Sequence, residues 1–553
     1  MNAELRALAE AYWQDELAAS PLQALMLGIH DYDEEMDDAS RDAEDARIAS
    51  LRSYVVRAAA FDPEILTANE RITRDVMIFE AGTHADLLEM REAEMEVNHA
   101  MGIQAMLPVI VPQLPIDEPE HARAMVEKSA AMGTWFDQMT DRLREGVANG
   151  RTPMASTVEK TVAQIDEQLA VDPGSSFFMN LRTPAAFSEE QATAWRAELT
   201  DVVRTEVYPA YKRYRDYIAD HVLPASRSED TPGICHLPGG EEWYRRAIKR
   251  YTSVDLTADE IHNIGLQQIA KLNEEYRELG GEVLGTTDLK EIFSRLRDDP
   301  GLRFGSGEEV RAASEAALAK AKAAMSDWFG RLPKADCFVQ ETPSGPQAFY
   351  FPPATDGSRP GTFYVNTSDA NAWKKYEMEA LAYHEGIPGH HLQLAISGEL
   401  EDVPEFRKHA SVTAYAEGWG LYTERLADEM GLYSGPLERI GMLSADSLRA
   451  GRLVVDTGIH AKGWSRQQAI DFFAENSPQN LSGIAEEVDR YIGLPGQALA
   501  YMIGRLEIVR MRAEAEETMG DEFDIKGFHD TVLCSGLVPL GTLDRMVREW
   551  ATA

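Results

Sequence analysis

Tyr383-His384-Glu385-Gly386-Ile387-Pro388-Gly389-His390-His391 is the stretch in which residue types and spacing together call for chemistry. It begins like an H-E-x-x-H helix, which sets two imidazoles one turn apart on one face with a glutamate beside them to activate a metal-bound water. Here the fifth position is Pro388, which offers no ligand atom. On a straight helix His391 is turned about 700° from His384, nearly the same face, and His390 about 240°. His391 would also stand roughly 10.5 Å up the axis, against about 6 Å for an i, i+4 pair, which strains a shared ion. Pro388 disfavours the straight helix, because its ring clashes with the His384 carbonyl and it lacks an N–H. If Pro388 and Gly389 bulge out by two residues, His390 falls where the second histidine belongs. The second ligand is read as His390, with His391 as the alternative.

Catalytic zinc takes three protein ligands and keeps one position open. The segment Ala414-Tyr415-Ala416-Glu417-Gly418-Trp419-Gly420-Leu421-Tyr422-Thr423-Glu424 supplies the third at Glu417, 27 residues after His390, far enough for one helix to end near Ser397-Gly398 and a second to return beside it. Small Ala416, Gly418 and Gly420 allow close approach. Glu424 lies on the same face as Glu417 and is placed to hold a ligand imidazole from behind. Glu385, next to the first histidine, is the expected general base.

The rest of the chain reads as a mainly α protein with a small β-hairpin. Apolar spacing of three and four runs through about 2–19, 68–95, 118–148, 187–222, 306–330, 374–398, 405–430, 436–462 and 497–518. Thr257 and Glu260 form a capping box before Ile261, Ile264, Ile269 and Leu272. Breaks are expected at 104–117, 171–187 and 224–240, with a soft boundary near 230 between a helical lobe, 1–230, and a metal-bearing lobe, 231–553, of one integrated bilobed unit. Ala348–Phe351 and Thr362–Asn366 flank the turn-rich Pro352–Pro360 and read as a hairpin just before the metal segment. An open strand edge there, marked by Tyr364 and Asn366, would hold an extended peptide through its backbone.

A net charge of −39, from 54 Lys and Arg against 93 Asp and Glu, repels nucleic acid and anionic membrane. Cys235, Cys337 and Cys534 form no disulfide framework or CxxC pair. The start Met1-Asn2-Ala3-Glu4-Leu5-Arg6 lacks a signal-like pattern and no apolar run is long enough to span a bilayer, so a cytoplasmic protein is expected. Oligomeric state is not legible.

Four segments together, YHEGIPGHHLQ (383–393), AYAEGWGLYTE (414–424), DTGIH (456–460) and YIGLPGQALAY (491–501), with the weaker LPGGEEWY (237–244), resemble a bacterial domain-of-unknown-function family read as zinc metallopeptidases. That family in turn resembles the glutamate-zincins, among them angiotensin-converting enzyme, thimet oligopeptidase and the thermostable carboxypeptidases. The resemblance implies a bilobed, clam-shaped helical fold with a deep channel. Dipeptidyl peptidase III carries one extra residue in its motif, and aligning the shared Gly-His pair points to His390. A downstream tyrosine or histidine stabilises the oxyanion in those enzymes, which makes Tyr501, Tyr491 and His460 the candidates here. Arg449, Arg452 and Arg505 could clamp a substrate carboxylate, with pairing to a neighbouring Asp or Glu the more common fate of any one of them in so acidic a chain, and Asp456 and His460, spaced i, i+4, also suit a structural pair. The expected activity is zinc-dependent hydrolysis of short peptides. Hydrolysis of a non-peptide amide or ester, and non-catalytic peptide binding around a structural metal, are the alternatives.

Overall fold

The computed structural model describes residues 2–343, 345–354 and 359–553. Helix accounts for 71% of it and strand for 4%, the mainly helical class with a small sheet that the periodicity predicts. Elements that position the site are named here in chain order: α1 (Ala3–Ala19), α2 (Ala68–Glu89), α3 (Ala258–Leu284), α4 (Gly307–Trp328), β1 (Cys337–Thr342), β2 (Ala348–Phe351), β3 (Gly361–Asn366), α5 (Met378–Glu385), α6 (His390–Gly398), α7 (Thr413–Glu429), α8 (Pro436–His460), α9 (Leu481–Gly493) and α10 (Ala500–Met519). No helix among the described residues is long and apolar enough to cross a membrane.

Local chemistry explains the element ends. α3 starts at the expected capping box, with the Glu260 amide donating to Thr257 Oγ1 at 3.3 Å and the Glu260 carboxylate accepting from the Thr257 amide at 2.8 Å. It ends at Gly285, whose φ of 68° is a left-handed conformation that glycine adopts without steric cost. α7 and α10 cross backbone to backbone. A Cβ on Gly418 would lie 2.5 Å from the Gly504 backbone, and one on Gly504 would lie 1.9 Å from the Ala414 carbonyl oxygen. This glycine crossing brings α10, whose first turn carries Tyr501, against α7, which carries Glu417.

The expected hairpin forms, pairing Ala348 with Val365 and Phe351 with Thr362 in antiparallel register. Residues 355–358 of its turn lie outside the described residues. A third strand, β1, pairs in parallel with β3 and gives the order β1-β3-β2. β3 is therefore central, and both its edges are used. The open edge expected at Tyr364 and Asn366 is replaced by outer edges belonging to β1 and β2.

Two further expectations change, and the soft boundary near 230 gains a structural description. The helix expected over 374–398 is two helices, α5 and α6. The break expected at 104–117 begins instead with a helix, Ile103–Ile110, that accommodates Pro108. The boundary near 230 is crossed by the largest core, in which Leu8 and Tyr12 of α1 and Val76 and Met77 of α2 join Tyr383, Leu392, Trp419 and Ile508. A separate core gathers Leu107, Phe136, Leu143, Trp195, Tyr211 and Ile218. The metal-bearing helices thus share their core with the first helices of the chain, which the linear pattern of breaks does not reveal.

Candidate metal centre

The proline-glycine segment breaks the helix rather than bulging it. α5 ends at Glu385, the Ile387–Pro388 peptide is cis, and α6 starts at His390. The His391 amide reaches back five residues to the Gly386 carbonyl at 3.0 Å, and Trp419 Nε1 donates to the Pro388 carbonyl at 3.0 Å. The chain folds tightly over the carbonyl end of α5, since a Cβ on Gly389 would lie 1.9 Å from the His384 oxygen. The outcome matches the bulge reading: His384 and His390 come together, with ring centroids 4.8 Å apart and planes at 85°.

Both histidines turn Nε2 toward one oxygen of Glu417. His384 Nε2 lies 3.6 Å and His390 Nε2 3.4 Å from Glu417 Oε2, and one ligand atom from each of the three residues fits within 4.8 Å of the others. These separations exceed the 2.7–3.2 Å typical of an N–H···O hydrogen bond. They match the edges of a tetrahedron around an ion with bonds of ~2.0–2.1 Å, which are about 3.4 Å. Two imidazoles and a carboxylate are also a donor set that zinc accepts. The residues present fit the ion.

Surrounding groups orient the ligands. His384 Nδ1 is 2.8 Å from Glu424 Oε1, the expected outer partner, and Glu424 is buried. The His384 ring lies against Gly420, where a Cβ would approach Cε1 to 2.7 Å. Burial alone would lower the His384 pKa, but Glu417 and Glu424 outweigh it and raise it to about 9 in the metal-free chain. His390 Nδ1 is buried without a hydrogen-bond partner. Gly420→Ala is expected to push the imidazole off its seat and weaken zinc binding by about 10–100-fold, the scale of outer-shell disturbance. Competition titration against a zinc chelator checks this, and unchanged affinity would remove the role assigned to Gly420.

His391 is not part of the cluster. Its Nδ1 meets the Tyr350 hydroxyl at 2.8 Å and its Nε2 the Ala335 carbonyl at 3.0 Å, so both nitrogens serve to pin the sheet to α6. Burial lowers its pKa to about 4 and keeps it neutral. Glu385 is half-buried beside His384, and its carboxylate makes no hydrogen bond or ion pair among the described residues.

The remaining candidates separate. Tyr501 is partly buried, and burial, then the charge of Glu417, raises its pKa, which places the phenol within the electrostatic reach of the metal ligand. His460 is fully buried. It accepts from the Ile234 amide at 3.2 Å and donates to the Tyr491 carbonyl at 2.9 Å, and burial lowers its pKa to about 3. It is a structural histidine rather than an oxyanion donor. Tyr491 is likewise buried, its hydroxyl taken by Glu487 and by Arg452 Nε at 3.0 Å. Arg505 is locked to buried Asp446, which also pairs with Arg425, and so is no free clamp. Arg452 pairs with Glu487 at 2.8 Å but stands over the Tyr501 ring, with its Cζ 4.4 Å from the centroid. Tyr364 stacks on Phe349, centroids 4.8 Å apart, and Asn366 binds Ser368 and the Gly345 carbonyl, so both hold the sheet together.

Trp419 and Tyr350, which fix the helix break and His391, were not singled out by spacing. Trp419 carries a signal in its flanking glycines, since a bulky indole between two of them marks a crowded contact. A second cluster, His30, Asp33 and His121, also brings three ligand atoms together. Its imidazoles stack face to face at 3.6 Å and 5°, so their lone pairs run parallel rather than converging, and this arrangement does not fit an ion.

Residues 21–547 match a family described as bacterial proteins of unknown function, DUF885. The chain belongs to this family. No curated protein matches it. Among solved structures it is similar to "the putative lipoprotein from Colwellia psychrerythraea", with 27% identity over 99% of both chains and a TM-score of 0.91. It also shares its fold with "a putative lipoprotein of unknown function from Shewanella oneidensis", with 18% identity over 97% of this chain and 98% of that one and a TM-score of 0.77.

Proposed function

We propose that this DUF885 chain is a zinc-dependent hydrolase that cleaves peptide bonds in short peptides. The observation that carries the reading is the spacing of His384, His390 and Glu417, which suits a tetrahedral ion, with the unengaged carboxylate of Glu385 alongside. His384, His390 and Glu417 would hold the zinc. When bound, the ion supplies Lewis acidity toward a water and a carbonyl oxygen. Glu385 accepts the water proton at its carboxylate and delivers it to the leaving nitrogen. Tyr501 donates its phenolic hydrogen to the developing oxyanion. The ligand side chains are only 3%, 13% and 21% exposed, so a thin, flexible chain reaches them more readily than a folded protein.

Hydrolysis of a mixed pool of short peptides tests the proposal. Turnover is expected to vanish on exhaustive chelation and return with added zinc, and turnover that survives removal of the metal would refute it. Parallel pools of non-peptide amides and esters decide the substrate class. Cytoplasmic location belongs to the same proposal, and recovery of the native protein in the membrane fraction would contradict it.

A further inference from the structure

We propose, building on the peptidase reading, that the wall beside Tyr501 binds a substrate carboxylate, the free C-terminus of the peptide, through Arg452 and Arg449, so that cleavage occurs near that end. Both guanidinium groups stand by the Tyr501 ring, with Cζ 4.4 Å from its centroid for Arg452 and 6.0 Å for Arg449. The glycine crossing packs α10, which carries this ring, against α7, which carries Glu417. A carboxylate held here lies against the helix that packs on the one bearing Glu417.

The arginines are under-satisfied. Arg452 has a side chain only 7% exposed, yet its Nη1 has no hydrogen-bond partner. The Nε of Arg449 is also buried without a partner. Arg452 and Arg490 share a single oxygen, Glu487 Oε2, at 2.8 and 3.3 Å. The carboxylate nearest Arg449 is Glu424, 3.8 Å away and already committed to His384. Asp456 is occupied by the Tyr244 hydroxyl and the Gly496 amide. Three guanidinium groups thus face Glu487 and part of Glu424, an excess of positive charge in a chain of net charge −39. A buried N–H without a partner is costly, and contact with the ring holds the head group without engaging its N–H donors. A carboxylate supplies the matching acceptors. Arg505 lacks this character, because Asp446 already satisfies it.

Calorimetric binding to the full-length, zinc-loaded Glu385→Gln chain tests the site with three tetrapeptide pools: free acids, C-terminal amides, and C-terminal amides carrying an internal Glu or Asp. Free acids are expected to bind about 10–100-fold more tightly than plain amides, the range for hydrogen bonds to charged groups. Arg452→Met should abolish that preference without weakening amide binding, and Arg452→Lys should restore part of it. Arg449→Gln, which breaks no close ion pair, gives the same reading if Arg452→Met does not fold. Equal or absent binding of acids and amides, loss of both together in Arg452→Met, or amides with an internal acid binding as well as free acids would each overturn the proposal. Turnover by the parent chain is read separately. Absent turnover with the preference intact defeats the peptidase reading alone, and turnover without any preference defeats this site alone.

Discussion

Glu385→Gln is expected to lower peptide turnover by about 10²–10⁴-fold, the usual contribution of a general base, while zinc stays bound. The two effects separate because Glu385 is not among the three residues whose ligand atoms converge. Its carboxylate supports no hydrogen bond or ion pair among the described residues, so the isosteric amide leaves the packing intact and the thermal midpoint should not move. Zinc content, melting temperature and kcat/KM on one peptide pool, measured together, check it. Full turnover by a zinc-loaded variant would show that another group takes the proton.

His390→Ala and His391→Ala, one residue apart, are expected to diverge sharply. His390→Ala removes one of three ligands and should weaken zinc binding by more than the roughly 10–100-fold that loss of an outer partner costs. His391→Ala should keep zinc affinity and lose stability instead. It leaves the half-buried Tyr350 hydroxyl and Ala335 carbonyl without their shared partner, each costing less than the roughly 1–3 kcal/mol of a fully buried orphan. Chelator competition and thermal melting on the two variants read both outcomes. Zinc loss in His391→Ala with retention in His390→Ala would reverse the ligand assignment.

The parts of the site legible in the sequence are those that local spacing controls. His384, Glu385 and His390 lie within one short segment, and Glu417 and Glu424 share one face of the returning helix, so helix periodicity alone relates them. Gly418 and Gly420 could be read as small residues between two close helices, though not as a crossing with Gly504 or as the seat of an imidazole. The fates of His460 and Tyr491 depend on partners far along the chain: the Ile234 amide, 226 residues from His460, and Arg452, 39 residues from Tyr491. Nothing in their own neighbourhoods distinguishes an oxyanion donor from a core hydrogen bond. Tyr364 and Asn366 lose their open strand edge for a similar reason. β1 alternates between half-buried and exposed positions without a strong apolar period, so its parallel pairing, which closes the second edge of β3, was not visible. Arg505 and Arg452 look alike in sequence, and only Asp446 on α8, which takes up the first, tells them apart.

Zinc stoichiometry of the chain purified without chelator, combined with an anomalous-scattering map at the zinc edge, tests the metal centre most directly. One zinc per chain is predicted, with its peak among His384 Nε2, His390 Nε2 and the Glu417 carboxylate. No more than a trace of bound divalent ion, or a peak at His391 instead of His390, would contradict it.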